Sequence, residues 1–157
     1  PTYHAVKRDA IESVPLDGAV LRLLAGRYVD ENGKSHQGFV GSHLPLDYYE
    51  LTVEAGHSVE IPVDEDRSVL AFTLEGPALI GGLPLGEKTA VKLVEGDRVG
   101  ITATDEKPSV VLLMSSVALR EPIAWGGPIV MNSTAELRQA FRDLDEGTFI
   151  REDVRSL

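Results

Sequence analysis

The chain contains no cysteine. That absence removes disulfides, thiolate metal sites and cysteine nucleophiles together, and it leaves the compartment open, because disulfide-free proteins occur in every one. Histidine is scarce, with four in 157 residues. The last is His57, so no imidazole exists from Ser58 onward. Basic residues are outnumbered 15 to 25, and the formal net charge of −10 argues against a nucleic-acid or anionic-membrane surface, both of which need a basic footprint. The two signs are interspersed, which is the pattern of a solvated surface. Apolar runs such as residues 110–114 are far too short to span a bilayer, and the start lacks the order of a signal peptide. Cytoplasm is the default location. The first residue is Pro1, which reads as a chain processed, trimmed or cut from something longer.

What is present is one ordinary domain's worth of chain, long enough to bury roughly two-thirds of its unfolded surface. Short β-type segments recur about every ten residues with Gly, Pro and Asp between them. They are residues 18–26, 47–56, 57–63, 68–76, 77–82, 89–97, 98–104 and 109–116. Such spacing indicates a β-sandwich or small barrel. Asn32-Gly33 predicts a tight hairpin within residues 30–34. The "GGLPLG" stretch at 81–86 lacks phosphate-loop spacing and reads as a turn.

The end of the chain differs. A Pro- and Gly-punctuated strap, residues 121–132, leads into an amphipathic helix expected over 133–146. Ser133 and Glu136 form a capping box, and Leu137, Ala140, Phe141 and Leu144 make one apolar stripe ended by Gly147. A lone helix of that length is marginal in water, so the stripe must dock. Its own barrel is one dock; a partner domain or second subunit is the other. The contact surface expected is Trp125, Met131, Asn132, Leu137, Phe141 and Leu144.

The strap and helix resemble the terminal signature of the pirins, in which an EPI…GPFVMNT run precedes a helix ending in Asp-x-x-x-Gly-x-Phe. The matches are Glu121, Pro122, Ile123, Gly127, Pro128, Val130, Met131, Asn132, Asp143, Gly147 and Phe149; Ile129 and Ser133 stand where the family usually has Phe and Thr. The strand segments at 20–26, 72–76 and 93–101 look like the pirin second half. The resemblance implies an all-β, cupin-type barrel or jelly roll with a C-terminal helix, occupying 1–150 as a single domain with a tail at 151–157. It also implies a second cupin barrel in the whole protein, with iron held there by three histidines and a glutamate. Several members of the family have a quercetin 2,3-dioxygenase type of activity, and others are regulatory cofactors.

Laid on this chain, the first cupin motif places its glycines at Gly56 and Gly76 and its ligand positions at Pro62, Asp64 and Val69. The second places its remaining histidine position at Lys107. All four are degenerate; Asp64 and Lys107 lie in turns that read as solvated, and they could instead pair across the barrel mouth. A non-haem iron site needs two histidines and a carboxylate aimed at one point, and the motif regions hold no histidine in any register. His57 and Glu60 lie three apart in a strand and face opposite ways. His36 and His43, near Tyr48 and Glu50, form one local cluster with usable donors, readable as a ligand contact or an ordinary loop. His4 reads as a surface residue. The acidic turns at 63–67 and 104–108 lack an ordered calcium-loop motif. Ser115 and Ser116 have no elbow motif and no downstream histidine.

The expectation is therefore a module with no catalytic residues, cofactor or metal of its own. Its partner is a metal-bearing N-terminal cupin half or a second copy of itself. An apolar cleft in it could still take a small aromatic ligand. The alternative is half of an iron-dependent enzyme whose metal lies in the other half.

Overall fold

The computed structural model describes residues 5–150; His4 and the tail at 151–157 lie outside them. A short 3-10 turn, Arg8–Ala10, precedes the strands. These are β1 (Glu12–Leu16), β2 (Ala19–Ala25), β3 (Arg27–Val29), β4 (Ser35–Gln37), β5 (Leu46–Val53), β6 (Ser58–Pro62) and β7 (Arg67–Glu75). Then come β8 (Ala78–Ile80), β9 (Leu83–Leu85), β10 (Ala90–Leu93), β11 (Arg98–Ala103), β12 (Ser109–Val117), β13 (Ala124–Gly126) and β14 (Ile129–Met131), and the helix α1 (Thr134–Asp145) closes the sequence. The chain divides after Ala118 into two compact units.

In the first unit, a six-stranded antiparallel sheet ordered β1-β2-β5-β12-β7-β10 accompanies a four-stranded sheet ordered β6-β11-β8-β9. Strict alternation in the sequence turns every second side chain inward. Across the large sheet Leu21, Leu51 and Val111 lie in register, as do Leu23, Tyr49 and Leu113, while Ile101 of the small sheet pairs with Val59 and Ile80. These side chains form one buried core. The result is an all-β, jelly-roll barrel.

The expected hairpin is present as β3 and β4, with Gly33 at φ 77° in the turn. The stretch 81–86 is not simply a turn. Gly81 and Gly82, both at positive φ, reverse the chain, and Leu83–Leu85 then runs back along β8 as a strand. Alternation over three residues is too brief to signal that strand in advance.

The second unit is a small assembly of its own. β13 and β14 form a hairpin in which Trp125 pairs with Val130. The capping box is made as expected, with Ser133 Oγ accepting from the Glu136 N–H and the Glu136 side chain accepting from the Ser133 N–H. Within this unit the stripe of α1 packs on the strap's own hairpin. A methyl group placed on Gly126 would meet Phe141 Cε2 at 3.0 Å and Leu137 Cδ2 at 3.3 Å, so the missing side chain is what lets the helix approach. Ala140 is buried, whereas Phe141 and Leu144 keep 39% and 45% of their surface exposed. Asn132 Nδ2 donates to Glu121 Oε2 at 2.9 Å and to the Pro122 carbonyl at 3.1 Å, joining the two ends of the strap.

Candidate functional site

In a barrel of this kind the interior is where a cofactor would be held, so the inward-facing side chains decide what it can do. They include Tyr49, Leu51 and Val53 on β5, Val59 and Ile61 on β6, Val69, Ala71 and Thr73 on β7, Val99, Ile101 and Ala103 on β11, and Ser109, Val111, Leu113 and Ser115 on β12. None is a histidine or a carboxylate. The polar ones already have protein partners. Thr73 Oγ1 donates to the Gly86 carbonyl at 2.6 Å, Ser109 Oγ to the Pro77 carbonyl at 2.5 Å, and Tyr49 Oη to the Arg27 carbonyl at 2.6 Å. Burial pushes the Tyr49 phenol well up, so it stays a neutral donor.

The four degenerate motif positions scatter. Val69 points into the core, but Pro62 ends β6 on its outward face, and the Asp64 side chain stands 71% exposed in the following turn. Asp64 and Lys107 do not pair but take other partners. Asp64 Oδ2 lies 2.8 Å from Arg67 Nε, and Lys107 Nζ lies 3.9 Å from Glu87 Oε2. Arg67 wins Asp64 because it is only three residues away on the same turn and is itself anchored. Its Nη1 sits 2.6 Å from Asp47 Oδ2 on β5 and 3.5 Å from Ser115 Oγ on β12. Beside it a cavity of about 140 Å³ opens at the barrel end, lined by Val63, Val69, Leu93, Arg98 and Val99 among others. That volume falls below the roughly 300–1,000 Å³ of ligand clefts.

The cluster of His36, His43, Tyr48 and Glu50 does not assemble. Tyr48 and Glu50 occupy the outward face of β5, where Glu50 Oε1 takes Arg22 Nη1 at 2.6 Å, and His43 is exposed in the preceding loop. His36 is buried elsewhere. Its Nδ1 lies 2.7 Å from Glu12 Oε1 and its Nε2 3.2 Å from Asp30 Oδ2. The hydrogen bonds it donates to Glu12 and then to Asp30 raise its pKa above the ordinary histidine value, against the effect of burial. With a carboxylate on each ring nitrogen, the imidazole has no nitrogen left to coordinate a metal. Among the described residues no group of three or more His, Cys, Asp or Glu side chains is placed to hold an ion. Half of this arrangement was readable from the hairpin, which sets Tyr28 opposite His36 and Asp30 diagonal to it on the same face. Glu12 carried no such signal, because β1 itself was not anticipated.

The double-sheet, jelly-roll architecture is that of a cupin-type domain. Residues 48–150 match the Pirin C-terminal cupin domain, about two-thirds of the chain, and the chain belongs to the pirin family. It is 30% identical over 151 residues to a pirin-like protein of Caulobacter vibrioides, covering 95% of this chain and 52% of that one. It is 29% identical to human pirin over 148 residues, covering 91% of this chain and 49% of pirin. Among solved structures, a quercetin 2,3-dioxygenase from Acinetobacter baumannii superposes with a TM-score of 0.82 at 30% identity, covering 94% of this chain and 50% of that one. The chain thus spans about half the length of these relatives. No helix among the described residues is long and apolar enough to cross a membrane.

Proposed function

We propose that this domain is the metal-free half of a pirin-like protein, and that its work is to pack against a metal-bearing N-terminal cupin half. The observation that carries this reading is the interior of the barrel, where Val, Ile, Leu, Ala, Thr and Ser occupy the inward positions of β6, β7, β11 and β12. The two-histidine, one-carboxylate minimum of a non-haem iron site has no counterpart there. The iron that the family resemblance implies does not fit these residues. The alternative, half of a quercetin 2,3-dioxygenase-like enzyme with its iron in the other half, is favoured by the likeness to the Acinetobacter baumannii enzyme. Both readings give this barrel the same non-catalytic part.

Two measurements test it. Loaded anaerobically with Fe(II) and desalted, the chain should retain no stoichiometric iron and should not open a flavonol ring; close to one iron per chain would overturn the metal-free assignment. The native particle purified from its own source, with every polypeptide identified, should contain a histidine-rich cupin half, in the same polypeptide or beside it. A particle built of this domain alone would overturn the packing role and leave self-association in its place.

A further inference from the structure

A second cleft, of about 360 Å³, lies against the β3–β4 hairpin and falls within the range of small-molecule sites. Val40, Leu44, Pro45 and Leu46 supply apolar walls, and Arg27, Gln37, Asp47 and Arg67 supply polar ones. Both ends of the intervening loop are tied. The Gly26 N–H donates to the Phe39 carbonyl at 2.8 Å, the Gly38 N–H donates to the Gly26 carbonyl at 2.9 Å, and Ser116 Oγ donates to the Pro45 carbonyl at 2.7 Å.

The charges around this cleft do not balance. Arg67, which also lines it, is matched by Asp47 at 2.6 Å and Asp64 at 2.8 Å. Arg27 is different. Its Nε donates to the neutral Ser35 hydroxyl at 2.8 Å, and among the described residues no carboxylate pairs with its guanidinium. The lining thus holds two arginines, Arg27 and Arg67, against one carboxylate, Asp47, a local excess of positive charge in a chain of net charge −10. A guanidinium edge is shaped for the two oxygens of a carboxylate.

We propose that this cleft binds a small carboxylate with an apolar body, aromatic or branched, whose carboxylate is held by Arg27 and whose body rests on Val40, Leu44 and Leu46. The inference is independent of whether the barrel packs with a metal-bearing half.

The test compares 1-naphthoate with its neutral counterpart, 1-naphthalenemethanol, by calorimetry and amide NMR on the whole chain. Naphthoate should bind at one site per chain, shift the amides of Gln37, Gly41 and Leu44, and bind roughly tenfold or more tightly than the alcohol. Arg27→Met should bring naphthoate down to the level of the alcohol while leaving the alcohol unchanged. Arg98→Met, which removes an exposed arginine on the other sheet, should change neither. If Arg27→Met fails to fold, Gln37→Glu, which sets a carboxylate directly across the hairpin from Arg27, supplies the same test by weakening naphthoate while leaving the apolar walls that hold the alcohol. Equal affinity for the two probes, naphthoate binding that survives both variants, or shifts confined to Val69 and Val99 would overturn the proposal.

Discussion

Oε1 of Glu12 and Nδ1 of His36 stand 2.7 Å apart, joining residues 24 positions distant in the chain. Asp30 faces the other ring nitrogen at 3.2 Å. Only the imidazolium can donate from both nitrogens at once, so this geometry is made for the charged form. The Tyr28 ring lies 6.3 Å from that of His36 and meets Tyr49 edge-on at 6.0 Å, which carries the hairpin's contact into the core. The cluster fastens the outermost strand of the large sheet to the β3–β4 hairpin.

Stability should therefore depend on pH in a definite direction. The native pKa of His36 is raised above its unfolded value, mainly by the hydrogen bond it donates to Glu12. The folded state consequently holds its proton more tightly than the unfolded one. This contribution is complete below the ordinary histidine pKa of about 6.5 and fades as pH climbs through the native value. Glu12 is lowered mainly by His36, and Asp30 mainly by the Lys34 N–H and then by His36. Their contributions are present above the ordinary carboxylate range and fade as pH falls through the lowered values. Thermal melts should show the highest Tm on the mildly acidic side of neutral and a decline toward alkaline pH. His36→Gln should flatten the alkaline decline, and an unchanged profile in that variant would remove the staple.

How much of this could be read beforehand differs by element, for physical reasons. The strands with long alternation, such as β5, β7 and β12, declared themselves because one face is buried, and the capped helix did so through Ser133 and Glu136. Short strands such as β9, β13 and β14 span three residues each, too few for a period to register. The charged contacts were least readable. Asp64 could have reached for Lys107 and instead bonds Arg67, and His36 was grouped with its loop neighbours but found Glu12. Such pairings depend on which strands become neighbours, and a sequence with short polar loops leaves that open. The lack of histidine beyond His57 is of a different kind, a property of the sequence that holds in any register.

Gly26 is held at φ 86° where β2 turns into β3. A methyl group there would lie 2.1 Å from Asp47 Oδ1 and 2.5 Å from the Leu46 carbonyl oxygen, and the second of these is backbone that cannot step aside. Gly26→Ala should cost more than about 1 kcal/mol, because the substitution is both strained and obstructed. Denaturant melts would register the loss, and 1-naphthoate affinity should fall with it since the same residue lines the cleft.

The helix offers two separable tests. Ser133→Ala removes the cap and should cost about 1 kcal/mol, read as lost helical circular dichroism. Phe141→Ala would cost about 3–5 kcal/mol at a fully buried site. With 39% of its surface exposed over Gly126, the ring should be worth roughly 1–2 kcal/mol instead. A loss at the fully buried level would mean that something further covers the stripe in solution.

Two arginines separate a structural ion pair from a decorative one. Arg98 reaches Glu60 at 3.0 Å, but their side chains are 60% and 64% exposed, and such pairs are worth about 0–1 kcal/mol. Arg67 and Asp47 meet at 2.6 Å with only 16% and 20% of their side chains exposed, and Arg67 also reaches Asp64 and Ser115. Removing Arg67 strands a mostly buried carboxylate, which costs more than the pair itself contributed. Arg67→Met should therefore destabilise the domain by roughly 1–3 kcal/mol, against less than about 1 for Arg98→Met. Asp47→Asn made on top of Arg67→Met should recover part of the loss, because it discharges the stranded group while keeping an Oδ1 acceptor for the Arg27 N–H. Urea titration of the two single variants and the double variant decides it: equal losses at Arg67 and Arg98, or no recovery in the double variant, would show that the Asp47 charge is well solvated despite its burial.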